Sequence, residues 1–178
     1  MRKIMMLGLL LAGAAGGCLA TAVESGDAKL QQLVKSKVEA MNTALLRGDY
    51  AKFADLTHPK LVEQSGGREK MIATMKDTME GLKSRGIVFR GAKVDPPMEF
   101  ASADGEMFTV VPFSLEITVP GQKITQRTFV VGVSGDRGQT WTFINGDVGE
   151  AQVKLLLPNL PKELKLPKHQ PPVIEKTK

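Results

Sequence analysis

Residues 107–133 read MFTVVPFSLEITV-PG-QKITQRTFVVGV, two long runs rich in Val, Ile, Thr and Phe on either side of a Pro–Gly pair. Branched and aromatic side chains suit a half-buried pleated surface, and a two-residue Pro120-Gly121 loop joins such runs as a hairpin. A two-residue loop pairs Val119 with Gln122 and sets every pair outward from there. One face then carries Ile117/Ile124, Leu115/Gln126, Phe113/Thr128 and Val111/Val130. The other is polar near the turn, with Glu116/Thr125 and Ser114/Arg127. It becomes apolar further along, with Pro112/Phe129, Val110/Val131 and Phe108/Val133. An antiparallel sheet with helices on one side normally shows a polar face on the other. The second apolar patch therefore predicts either contact with another chain, giving a homodimer through the sheet, or cover by the leucine-rich C-terminal stretch. A bulge at Pro112 would exchange the two faces.

Residues 87–94 and 140–145 have the same β texture and extend the sheet. Between the last two strands lies SGDRGQTW at 134–141, which carries all five fixed positions of the S-x-D-x-G-x-T-W Asp-box pattern: Ser134, Asp136, Gly138, Thr140 and Trp141. In sialidase-like propellers the motif recurs once per blade and is structural. A single copy excludes a propeller and leaves a tight turn, in which Asp136 binds backbone N–H groups, Gly138 takes positive φ and Trp141 packs beneath.

Upstream the period changes to that of helices. Leu30, Leu33, Val34, Val38, Met41 and Leu45 form an amphipathic stripe, with Asp27 as the expected N-cap and Gly48 at the C-terminal stop. Asp49 caps a short second helix whose apolar side is Tyr50, Phe53 and Leu56, and His58-Pro59 is expected to end it. Ser65-Gly66-Gly67 opens a third helix with Met71, Met75, Met79 and Leu82 on one stripe, closed by Gly86. Asp147 to Glu150 has capping-box spacing for a last short helix through Leu157. Five of the ten prolines fall in 158–178, which predicts an extended, helix-free tail. Its stretch to Pro167 is expected to dock through Leu160, Leu164 and Leu166, and the part from Lys168 to be mobile. Helices followed by antiparallel strands make an α+β domain. The expected division is a signal peptide at 1–22, one domain at 23–157 and a Pro/Lys-rich tail at 158–178.

The formal net charge is +5, but Arg2, Lys3 and the tail's five Lys and two Glu account for all of it, leaving a neutral body. Nucleic-acid binding, which needs a basic face, is not expected. One cysteine and two histidines exclude a disulfide framework and a Cys/His zinc module, and no metal or cofactor is expected. Arg2-Lys3, the apolar run 4–15 and Ala20-Thr21-Ala22 form an export signal too short to span a bilayer, so the mature chain is expected to be secreted or periplasmic with no transmembrane span. Ala15-Gly16-Gly17-Cys18 offers the alternative of a lipid anchor at Cys18 on the cell envelope.

Among single residues, His58 is the only histidine of the body. Catalysis would require a partner carboxylate, with Glu63 or Asp147 as candidates. The simpler reading is a helix-stop histidine, bonded locally or left in solvent, that tolerates replacement by alanine. The methionine stripe reads first as ordinary core, and as an adaptable ligand wall second.

A long first helix, the segment RGDYAKFADLTHP, GGREKMI opening a third helix and four long antiparallel strands ending in WTFI resemble the nuclear-transport-factor-2-like superfamily over residues 27–157. The resemblance implies a cone-shaped bent sheet wrapped on the N-terminal helices around an apolar pocket, often in a dimer. The isomerases of that superfamily use an aspartate base and a tyrosine, and its dehydratases a histidine–aspartate pair. Neither set carries over: the only tyrosine, Tyr50, lies on the second helix, and no second buried-looking histidine is found. The expectation is an exported non-enzymatic module that binds a small ligand or a protein partner. Its candidate pocket residues are Tyr50, Phe53, His58, Met75, Phe113 and Arg127. The alternatives are a pocket isomerase or lyase using His58, or a structural dimer docking on an envelope component.

Overall fold

The computed structural model describes residues 20–176; the apolar run 4–15 and Cys18 lie outside them. Four helices come first: α1 (Ala20–Arg47), α2 (Tyr50–Leu56), α3 (Pro59–Gln64) and α4 (Arg68–Ser84). The strands are β1 (Val88–Val94), β2 (Phe100–Ala103), β3 (Glu106–Val119), β4 (Gln122–Ser134) and β5 (Thr142–Asn145). A 3-10 turn (Gly146–Val148), α5 (Glu150–Leu156) and a last strand β6 (Val173–Lys176) complete the order. The class is α+β with one open antiparallel sheet, ordered β1-β3-β4-β5, with β2 beside β3 and β6 beside β4.

The central hairpin has the register expected of a two-residue turn, unbroken from Val119↔Gln122 to Met107↔Ser134. Pro112 introduces no bulge; the irregularity falls in β1, between Phe89 and Gly91. Both faces are therefore apolar over the inner part of the hairpin, and each is covered. Val111, Phe113 and Val130 pack with Val34, Val38 and Met41 of α1 and with Trp141 and Phe143. On the other face Phe108, Val110, Phe129 and Val131 pack with Val153, Leu156 and Leu157 of the α5 region and with Leu164. Leu160 and Leu166 pack against the same cluster. The surface on which a sheet-mediated dimer was expected is thus filled by the chain's own C-terminal residues. The stretch from 158 is part of the domain's second layer, though it remains helix-free.

Several local expectations need correction. Asp27 does not cap α1, which runs through it without a break from Ala20. The far end is as expected: Gly48 has φ +74, and the N–H groups of Gly48 and Asp49 return to the carbonyls of Leu45 and Ala44 in a Schellman closure. Asp49 then accepts from the Lys52 N–H at 3.1 Å and caps α2. Pro59 does not simply stop the chain. It occupies the first turn of α3, where a missing N–H costs nothing, so one proline ends α2 and opens α3. Asp147 lies in the 3-10 turn, and Gly149 is the residue preceding α5, so the expected capping box is absent. Two strands have no counterpart in the sequence reading. Residues 100–109 form a short hairpin over Asp104-Gly105, both at positive φ (50 and 82). The stretch expected to be mobile ends in β6, which pairs with β4 from Gln122↔Lys176 to Thr125↔Val173.

Candidate functional site

Where α1 ends, the sheet continues. Leu45, Leu46 and Tyr50 from the α1–α2 junction, Met79 on α4, and Ile87 and Phe89 at the start of β1 enclose a cleft of about 310 Å³. The glycine stop at Gly48 creates it, by turning α2 away from the α1 axis and leaving Tyr50 at the corner. Gly86 (φ +76) makes the matching turn from α4 into β1. The apolar lining is half-buried, whereas Arg47, Glu80 and Lys83 stand exposed around it. Such a site is an apolar floor with a charged rim that carries two cations and one anion.

The six residues expected to line a single pocket do not meet in one place. Tyr50 lines the cleft. Phe53 packs against the core under α1, and Phe113 lies within that core at 5% exposure. Met75 is half-buried on α4, one turn before Met79. Arg127 stands on the opposite face of the sheet, its side chain 62% exposed and 3.9 Å from Asp95. It borders a separate cavity of about 310 Å³ beneath the crossing tail, together with Phe129, Asp147 and Lys168. A wider groove of about 640 Å³ runs between α5 and the tail, with Leu157, Leu160 and Leu164 along it and Lys154, Lys162 and Lys165 beside them. Those leucines also close the second core.

His58 is 7% exposed, so it is not left in solvent. Its Nδ1 accepts the Lys60 N–H at 3.3 Å, capping α3, and its backbone N–H donates to the Phe143 carbonyl at 2.9 Å. Burial holds the imidazole pKa below its ordinary value, helped by the Lys60 charge and opposed by Glu106 and Glu63. Among the described residues no carboxylate hydrogen-bonds to it. Asp147 instead accepts from the Thr128 hydroxyl, and Asp55 is held by Arg68 at 2.7 Å, which lowers its pKa. The neighbouring Lys60 ammonium reaches the Leu156 carbonyl at 3.0 Å and ties α3 to the end of α5. The histidine is thus an architectural cap between two elements.

The Asp-box turn is built as its residues predict. Asp136 Oδ1 accepts from the Gln139 and Thr140 N–H groups at 3.0 and 2.8 Å and from the Ser134 hydroxyl at 2.8 Å. Its Oδ2 accepts from the Thr140 hydroxyl at 2.6 Å. These donors, Thr140 foremost, hold the carboxyl pKa down to about 2. Gly138 has φ +87. Trp141 is 3% exposed, donates Nε1–H to the Gly138 carbonyl at 3.0 Å and meets Phe100 with ring centres 5.9 Å apart. The polar side chains of Ser134, Asp136, Thr140 and Trp141 all bond within the turn.

No family model matches the chain, and a search of characterised proteins finds no match. Among the described residues there is no cluster of His, Cys, Asp or Glu able to hold a metal ion, and no helix long and apolar enough to cross a membrane. The cleft itself is not legible in the sequence, because four elements contribute to it and Tyr50 alone stands out among the candidate residues. The available signal is Leu45-Leu46, which continues the α1 stripe into a second apolar position just before the glycine stop.

Proposed function

We propose that the chain is an exported, non-enzymatic binding module with the nuclear-transport-factor-2-like arrangement, taking a small apolar ligand in the cleft beside Tyr50. The observation that supports this most is the lining of that cleft: half-buried aliphatic and aromatic side chains with the charges confined to the rim. Ligand sites are characteristically concave and apolar, with a few polar groups that orient the ligand. N-terminal helices packed through α1 on one face of an open antiparallel sheet support the superfamily reading. The Arg2-Lys3 and apolar 4–15 pattern supports export. An isomerase or lyase using His58 has less in its favour, since that imidazole is buried and already engaged as a cap.

Tyr50 is the only tyrosine, so 3-fluorotyrosine places a single 19F label at the cleft. Native mass spectrometry of protein purified from its own host should show a retained small molecule. Removing that molecule should shift the 19F resonance, and Phe89→Asp should abolish retention without unfolding the chain. A retained ligand that leaves the label unmoved would place the binding site elsewhere.

A further inference from the structure

Phe89, at the edge of the cleft, begins an apolar row on the open sheet. In the register of the sheet Phe89 lies opposite Ile117, Ile117 opposite Ile124, and Ile124 opposite Ile174 of β6. Directly opposed residues of antiparallel strands share a face, so these four side chains form a continuous apolar row across β1, β3, β4 and β6. It lies on the same face as Phe113 and Val111, which α1 covers. Here Ile117 and Ile124 are half-buried, and Ile174 is 55% exposed. The reverse face of the same strands is mixed: Glu116, Thr118, Lys123, Thr125 and Glu175 are polar, Lys123 pairs with Glu116 at 3.3 Å, and Val88 and Val173 share that face. The unbroken apolar row is confined to the helix-bearing face, and it adjoins the ligand cleft through Phe89, which belongs to both.

The geometry points to a single-chain anionic amphiphile, a free fatty-acid anion of about decyl to dodecyl length, as the ligand of this site, a refinement that rests on the cleft reading above. The row crosses three inter-strand spacings of about 4.8 Å, or about 14 Å in all, close to the length of an extended dodecyl chain. Its cleft end is rimmed by Arg47 and Lys83, with Glu80 as the one opposing charge. The carboxylate belongs at that rim, where the cations attract it and water still solvates it. The acyl chain lies along Phe89, Ile117, Ile124 and Ile174. On this arrangement the C-terminal strand has a task beyond closing a sheet edge, because Ile174 is the last position of the acyl track.

The test uses the full chain with 3-fluorotyrosine at Tyr50, titrated with octanoate, decanoate, dodecanoate and dodecanol below micelle-forming concentrations. Affinity should rise by about five-fold per two added methylenes, the hydrophobic increment reduced for a chain lying on an open sheet face. The variant pair Arg47→Gln/Lys83→Gln should weaken dodecanoate by about five-fold, as expected for exposed charges, and leave dodecanol unchanged. Ile174→Ser, at an exposed position, should erase the gain from decanoate to dodecanoate while octanoate binds as before. Equal affinity for octanoate and dodecanoate, or loss of dodecanol binding in the charge variant, overturns the acyl-anion assignment and leaves the cleft reading intact. Dodecanoate binding that leaves the label still and is lost in Lys162→Gln/Lys165→Gln moves the amphiphile to the tail groove and also overturns it. So does cosedimentation with phosphatidylglycerol vesicles in place of monomer binding. A label that no ligand shifts, including one recovered from the host, overturns both readings.

Discussion

Trp141→Ala tests the turn on which the helix-facing core is anchored. The indole is 3% exposed, lies against Phe100 and gives its N–H to the Gly138 carbonyl. Truncating a buried aromatic to alanine costs about 3–5 kcal/mol through lost transfer energy and the cavity left behind. The deserted Gly138 carbonyl adds a desolvation cost of about 1 kcal/mol or more unless water reaches it. A domain of this size has about 5–15 kcal/mol in total, so the variant loses a large share of it. At about 2–4 °C per kcal/mol, a loss of 4 kcal/mol lowers the melting midpoint by about 8–16 °C. Far-UV circular dichroism is the appropriate assay, because the substitution removes the only tryptophan. Trp141→Phe separates the two contributions: it keeps most of the ring and deletes the N–H, and should cost about 1–2 kcal/mol. A midpoint for Trp141→Ala within a degree of the parent would refute the packing argument. Equal losses in both variants would refute the division between ring and hydrogen bond.

His58→Ala should lose about 1–2 kcal/mol in urea denaturation, the range for a helix cap; a loss below a few tenths would return His58 to the surface. The imidazole pKa is lower in the fold than in the unfolded chain, so its contribution is intact above pH ~6.5 and is lost as the pH falls below it. His58→Gln should flatten that part of the stability–pH curve. Asp136, held down to about 2, stabilises the fold above the usual carboxylate range, and that contribution disappears as the pH falls from about 4 through about 2; Asp136→Asn should remove this acid limb in a pH-dependent melt. Gly138→Ala should destabilise by about 1 kcal/mol or more, because φ is +87 and the added Cβ would stand 2.9 Å from a Leu30 methyl; an unchanged midpoint would show that the turn relaxes freely. Amide exchange should show protection at Leu160 and Leu164, whose N–H groups bond to the carbonyls of Leu157 and Pro161; exchange there as fast as at Lys168 would undo the docked-tail arrangement.

The hairpin is legible because one two-residue turn propagates its register through every later pair, and because period-2 alternation survives on both faces. The Asp-box is legible because each of its residues satisfies a local demand. The elements that escape a sequence reading are set by tertiary context. Residues 100–103 (FASA) are too short and too small to announce a strand, although Asp104-Gly105 is a recognised hairpin signal. Val173–Lys176 comes after a proline pair that reads as linker, and only the waiting edge of β4 makes it a strand. Pro59 reads as a stop because its restriction on the preceding residue is local, whereas its fitness for a first helical turn depends on the residues C-terminal to it. The cleft draws on four elements, and residue patterns along any one of them do not report where the four converge.

The two-sided burial of the central hairpin has a consequence for the order of events during synthesis. A chain emerging N-terminus first releases α1 before β3 and β4, so the helix-facing side can begin to close as soon as the hairpin forms and needs only Trp141 and Phe143 to complete it. The other side must wait for Val153, Leu156 and Leu164, and until they arrive Phe108, Val110, Phe129 and Val131 remain uncovered. That interval leaves a two-stranded ribbon with an exposed apolar face, the kind of species that pairs with its neighbours at high concentration. Late-made leucines thus set how long that face stays open to other chains.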